Sequence, residues 1–293
     1  MNIVAALMMS WFVAVFLAPV VCRLDVLFTP AVLVRVLSGG ALVLTLATTS
    51  SAVAAVCLLV VGFGAAGLTP AAVIGCLLTV GGVRAARHGM RVRNSLRAAA
   101  LFRDSALRTG DVLLVEDALP DAFAVPGRRP VVVVTTGLQK SLPAAEFAAV
   151  LRHERAHLRA RHHVHIQLVE LAALLNPLLT RWPAAVRFAA ERHADECAAA
   201  ADRSATARAL ARAAMLCNTP VRRPTLSIVA EHREVIRRVR ALQHPRPSRQ
   251  RGWAVAVAAA VMFGLAMNAV INADLAQDRI APERGEAPSV AVG

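Results

Sequence analysis

His153-Glu154-Arg155-Ala156-His157 lies within Leu142 to Arg161, a segment whose apolar residues recur with helical spacing. Phe147, Val150, Leu151 and Leu158 mark its buried stripe, and Pro143 and Glu146 suit the first turns of a helix. Residues four apart on a helix share a face, with a rise of about 6 Å between them. Two imidazoles so placed can grip one zinc ion, and the intervening Glu154 can reach a water on that metal. Projected at about 100° per residue, Glu154 falls within the apolar stripe and both histidines fall along its edge. A carboxylate among apolar groups is costly unless something pairs with it, so this position points to chemistry rather than to an idle charged helix.

Working outward, Ala184 to Ala201 reads as an Ala-rich helix carrying Glu191-Arg192-His193-Ala194-Asp195. Glu191 and Asp195 share a face at i, i+4. A catalytic zinc takes three protein ligands and leaves one position open, and the third is expected here. On spacing alone Glu191 competes with His193, His162 and His163. Before the motif come three β-branched runs, Val112–Val115, Ala122–Val125 and Val131–Thr136, separated by Pro120-Asp121 and by Pro126-Gly127-Arg128-Arg129-Pro130. They predict a sheet of about three strands. Ile166 to Trp182, with an internal Glu170 and Asn176-Pro177, is short for a span, and a buried or interfacial helix fits it better than a re-entrant one.

The chain is 57% hydrophobic, which calls for membrane segments. No charge occurs between Val36 and Val83, and Gly67-Leu68-Thr69-Pro70 interrupts that run. Spans are expected at about 3–22, 38–63, 69–84 and 253–273. The first lacks a basic n-region and a small-residue cleavage site, so it is expected to be retained as an anchor. Seven arginines (84, 87, 91, 93, 97, 103, 108) follow the third span and seven (233, 237, 238, 240, 246, 249, 251) precede the fourth, while the tail after Ala273 is net acidic. This pattern places both termini outside a plasma membrane and residues 85–251 in the cytoplasm. Span-flanking arginines facing anionic lipid account for the +14 charge. With 4% aromatics and no Tyr, direct nucleic-acid binding is not expected. Cys22, Cys57 and Cys76 fall in spans, and Cys197 and Cys217 in a reducing compartment, so no disulfide is expected. An oligomer is compatible with the sequence.

Asp121-Ala122-Phe123-Ala124-Val125-Pro126-Gly127, Thr136-Gly137-Leu138, the His153–His157 motif, Asn176-Pro177-Leu178 and Glu191-x-x-x-Asp195 follow one another in an order that resembles the BlaR/MecR-type membrane metallopeptidases. These are gluzincins related to the HtpX-like proteases. The resemblance covers residues 110–200. It implies one Zn2+ per chain held by His153, His157 and Glu191, with Glu154 as catalytic base and Asp195 orienting a ligand imidazole. It also implies that a substrate peptide adds to the strand around Ala122-Phe123-Ala124. With Tyr absent, His162, His163, His193 or an Arg is left to steady the oxyanion.

Two departures stand out. About twenty residues follow Ala273, too few to fold as the penicillin-binding sensor of antibiotic-sensing members. His162 also stands where an acid is common. The expected fold class is a mainly α membrane protein: three transmembrane helices in 1–84, a cytoplasmic α+β gluzincin-like metalloprotease domain in 85–251, and a fourth helix with a short extracellular tail in 252–293. The expected activity is zinc-dependent hydrolysis of a cytoplasmic or membrane-associated protein, with a DNA-binding repressor as first partner. A membrane-protein quality-control protease and a non-catalytic receptor or scaffold are the alternatives.

Overall fold

The computed structural model describes residues 3–103, 108–216, 225–244 and 252–280 of the chain. Four helices are long and apolar enough to cross a membrane. They are α1 (Ile3–Val20), which runs into a 3-10 turn at Val21–Val26, then α2 (Pro30–Phe63), α3 (Ala65–Ala98) and α11 (Gly252–Ile280). Each exceeds or shifts its expected bounds. The second starts at Pro30 rather than 38, because Arg35 is carried on the helix instead of ending it. The turn between α2 and α3 falls at Gly64, in a positive-φ conformation (52°), and not at 67–70. Pro70 lies inside α3, a placement that apolar helices tolerate because neighbouring groups re-satisfy the freed carbonyl. Gly67 allows this one-residue connection: a Cβ there would stand 1.8 Å from the Leu59 carbonyl oxygen. Far from stopping at 84, α3 runs on through its arginines to Ala98.

The sheet follows a short helix, α4 (Ala100–Arg103). Its strands are β1 (Arg108–Thr109), β2 (Val112–Val115), β3 (Ala122–Val125) and β4 (Val131–Thr135), in the order β1-β2-β4-β3. The three expected strands are present, and the two-residue β1 is an addition at one edge. β4 is central, parallel to β2 (Leu113↔Val133) and antiparallel to β3 (Phe123↔Val133). Its valines are buried on both faces, as an uninterrupted apolar run requires. Val131 and Val133 pack with Leu113, Val125 and Ala99 at the end of α3. Val132 and Val134 pack instead on Leu138 of α5 (Thr136–Ser141) and on Phe147, Val150 and Leu151 of α6 (Ala144–Arg159). Among the described strands, β3 is left at the other edge.

After α6 the chain forms α7 (His162–Leu175), a 3-10 turn (Pro177–Leu179) and α8 (Trp182–Ala198). This pair is a hairpin inserted among the long helices. His165 Nδ1 lies 2.8 Å from Ser38 Oγ, and Asn176 Nδ2 donates to Thr48 Oγ1 at 3.1 Å. The returning arm sets Trp182 against Gly40. Thr48 is thirteen residues past Arg35, the last charge before the apolar run, or about 20 Å along α2. That exceeds half of a hydrocarbon layer about 30 Å thick. Residues 166–182 are thus buried among the candidate spans, the buried placement being one of those the sequence offered. Leu179 at the turn is fully buried, in a cluster shared by α1, α2, α8 and α11. α9 (Arg203–Leu216) and α10 (Thr225–Gln243) complete the described elements. Cys217, the arginines at 246, 249 and 251, and the acidic tail beyond residue 280 lie outside the described residues.

Candidate metal centre

α6 carries His153, Glu154 and His157 while Phe147, Val150 and Leu151 fasten it to the sheet and its first turn is fastened to α9. Glu146, in its first turn, is 3% exposed and is held by Arg208 and Arg212. α8 brings Glu191 opposite the two histidines. His153 Nε2 and His157 Nε2 are 3.1 Å apart, and each lies 3.4 Å from a Glu191 carboxylate oxygen. Ligands about 2.0–2.1 Å from a zinc ion in a tetrahedron stand about 3.3–3.4 Å from one another. The three donors thus fit a zinc ion, with a fourth position left over. Of the competing third ligands, only Glu191 reaches both imidazoles.

Each imidazole is gripped from behind through its other nitrogen. His153 Nδ1 is 3.2 Å from Asp195 Oδ1. His157 Nδ1 is 3.0 Å from His162 Nδ1, and His162 Nε2 is 2.9 Å from His193 Nδ1. With His157 binding metal through Nε2, one sequence of tautomers satisfies every atom: His157 Nδ1–H donates to His162, and His162 Nε2–H donates to His193. The histidine at 162 is buried and neutral, its pKa pushed down to about 3 by burial and the neighbouring imidazoles. It fixes the ligand ring without adding charge, which explains how the chain dispenses with an acid there. With both ring nitrogens engaged, His162 has no N–H to offer an oxyanion. His163 instead lines the cleft beside β3.

Arg238 of α10 is the residue that sequence reasoning missed, having counted it only among span-flanking charges. Its Nε and Nη2 donate to the two Asp195 oxygens at 2.8 Å, and Nη1 stands 2.8 Å from Glu191. A signal existed: Val235, Val239 and Leu242 form the apolar stripe of α10, and Arg238 falls inside it.

Burial opposes the charge on Glu191, but His153 and Arg238 outweigh it and hold the carboxyl below its ordinary range. Burial pushes His157 down to about 4 and raises Glu154 to about 7. Burial also works against charge on His153, yet the Asp195 and Glu191 carboxylates raise it to about 10. Near neutral pH the metal-free site therefore holds one proton that zinc must displace, on His153. Zinc affinity of chelator-stripped protein should rise about tenfold per pH unit between about pH 6 and 8. Titration against a chromogenic chelator reads that slope, and a flat response would show that the metal-free site holds no ligand proton for zinc to displace in this range.

Two clefts meet at the centre, and His153, Glu154 and Glu191 line both. One, about 290 Å³, runs along β3 past Phe123, Ala124 and His163. The other, about 220 Å³, is walled by Leu138, Val150, Ala209, Leu210 and Ala213.

Residues 86–173 match the model of peptidase family M48, a span that includes His153–His157 and ends before Glu191. A plastoglobule-localized metallopeptidase 48 from the chloroplast of Arabidopsis thaliana is 35% identical over 66 residues, which are 22% of this chain and 19% of that protein. The chain thus aligns with about a fifth of that relative's length. No solved structure matches. Residues 86–173 are thus similar to the M48 metallopeptidases, in a chain with four helices long and apolar enough to cross a membrane among the described residues.

Proposed function

We propose that the protein is a membrane-embedded zinc endopeptidase of BlaR/MecR-like type that cuts a cytoplasmic or membrane-associated protein, with regulated cleavage of a transcriptional repressor as its role. The observation that carries the activity is the cluster of His153, His157 and Glu191, whose ligand atoms lie within 4.8 Å of one another beside a buried Glu154. The support for a protein substrate is the free edge of β3 lying along the same cleft.

In this reading a substrate segment adds to β3 at Ala122-Phe123-Ala124, so main-chain hydrogen bonds fix its register and side chains alternate into the clefts. Zinc held by the three ligands would supply Lewis-acid polarisation and a water of lowered pKa. Glu154 accepts the proton from that water and returns it to the leaving amine, a task suited to a carboxyl whose pKa lies near 7. Asp195, itself held by Arg238, keeps the His153 ring in place. His163 is the imidazole best placed to steady the oxyanion. In this reading the arginines flanking the third and fourth candidate spans keep residues 85–251 on the cytoplasmic side.

N-terminal profiling of proteins from cells with and without the full-length enzyme tests the role. One or a few fixed, zinc-dependent cuts in a DNA-binding protein are expected. Many ragged cuts across membrane proteins would replace the repressor role with quality control.

A further inference from the structure

On the far side of α8 from the metal centre, a cavity of about 420 Å³ opens among Arg192, Arg237, Arg240 and His244. The Arg192 side chain is 12% exposed. Its Nη2 is held by Glu196 at 3.1 Å, while its Nη1 is buried with no hydrogen-bond partner among the described residues. Arg237 lies over the Phe188 ring, 4.0 Å from its centroid, and reaches Asp25 at 2.9 Å. Against these three arginines stand Asp25 on the wall and Glu196 beside Arg192, so the space is net cationic by one charge, with Arg240 the arginine to which no carboxylate is matched among the described residues. A buried guanidinium N–H without an acceptor is costly, and phosphate oxygens match its geometry.

The remaining walls identify the source of that phosphate. Phe28, Pro30 and Leu33 belong to the junction of α1 and α2, at the charged end of two candidate spans. Phe28 also walls a second cavity, about 160 Å³, lined entirely by apolar residues and two tryptophans of the bundle, among them Leu37, Trp182, Trp253 and Val257. Trp182 is 4% exposed and its Nε1 is a second orphan donor. A space walled by arginines and an apolar one on either side of a single phenylalanine suit one amphiphile with a phosphate head and a hydrocarbon tail. We propose that Arg192, Arg237 and Arg240 bind the headgroup phosphate of an anionic phospholipid whose acyl chain occupies the apolar cavity beside Phe28 and Trp182.

Native mass spectrometry of the full chain released from micelles tests this site independently of any peptidase activity. Phosphatidylglycerol should be retained over phosphatidylcholine of the same chain length, and Arg192→Gln combined with Arg240→Gln should weaken retention about tenfold, the scale of one charged hydrogen bond lost. Arg240→Gln alone, at an exposed position, should give a smaller loss and keeps the test open if the double variant does not fold. A large excess of inorganic phosphate should leave the lipid in place. Equal retention of both lipids, wild-type retention by the variants, or displacement by free phosphate would each overturn the proposal.

Discussion

Glu154→Gln should lower peptide-bond hydrolysis by about 10²–10⁴-fold while zinc stays bound at one ion per chain. The substitution keeps the size of a side chain wedged between α6 and the two clefts, but leaves nothing to accept a proton from water. None of the three metal donors belongs to residue 154, so their 3.1–3.4 Å spacing persists. Burial raises the folded-state pKa of Glu154 from 4.5 to about 7. Ionising it therefore costs folding stability as pH rises from its unfolded value toward 7, and the neutral amide escapes that cost. Relative to wild type, the metal-free variant should gain stability through that window, read by denaturant unfolding at several pH values. Unchanged hydrolysis with full zinc occupancy would show that Glu154 is not the base. Absence of hydrolysis in both proteins would favour the scaffold alternative.

Arg238→Ala should have the largest effect on stability. Asp195 is 1% exposed and receives both forks of this guanidinium, and Glu191 takes a third contact. Removing the cation leaves two carboxylates facing each other beside His153, one of them buried, a situation that costs about 3–5 kcal/mol. The loss should appear as a lower denaturant midpoint and a weaker zinc site together. Arg238→Lys should recover only part of either, because an ammonium cannot hold both Asp195 oxygens in the guanidinium geometry. A variant with wild-type midpoint and zinc affinity would show that the clamp is incidental.

Much of this arrangement was legible beforehand, for identifiable reasons. The motif at 153–157 encodes its own geometry, because i, i+4 on a helix is a fixed distance. Val131–Val134 announced a strand by its unbroken run of valines, while its central place in the sheet came only with the strand order. The third ligand was not settled by spacing, since nothing local distinguishes Glu191 from His193; only the hairpin's return brings one of them to both imidazoles. Arg238 was hidden because a charge near a span has an ordinary explanation, while its partner Asp195 lies 43 residues away. The bounds of α2 and α3 ran past the apolar segment because arginines extend a helix as readily as they flank one. The buried path of α7 and α8 depended on pairings such as Asn176 with Thr48, which no periodicity encodes.

That path has a consequence for how the site is held. Glu191 rides on an arm anchored deep among the long helices, whereas His153 and His157 ride on a helix fastened to the sheet. In a bilayer the first arm would follow the hydrophobic thickness around the long helices, while the second is tied to the sheet. Mismatch costs only fractions of a kcal/mol per Å, so lipid composition sets that height gently. A gap of 3.4 Å between carboxylate and imidazole leaves little slack for it to vary. In the proposed membrane-embedded, zinc-loaded enzyme, chain length in the surrounding lipid would thereby tune how tightly the ion is held.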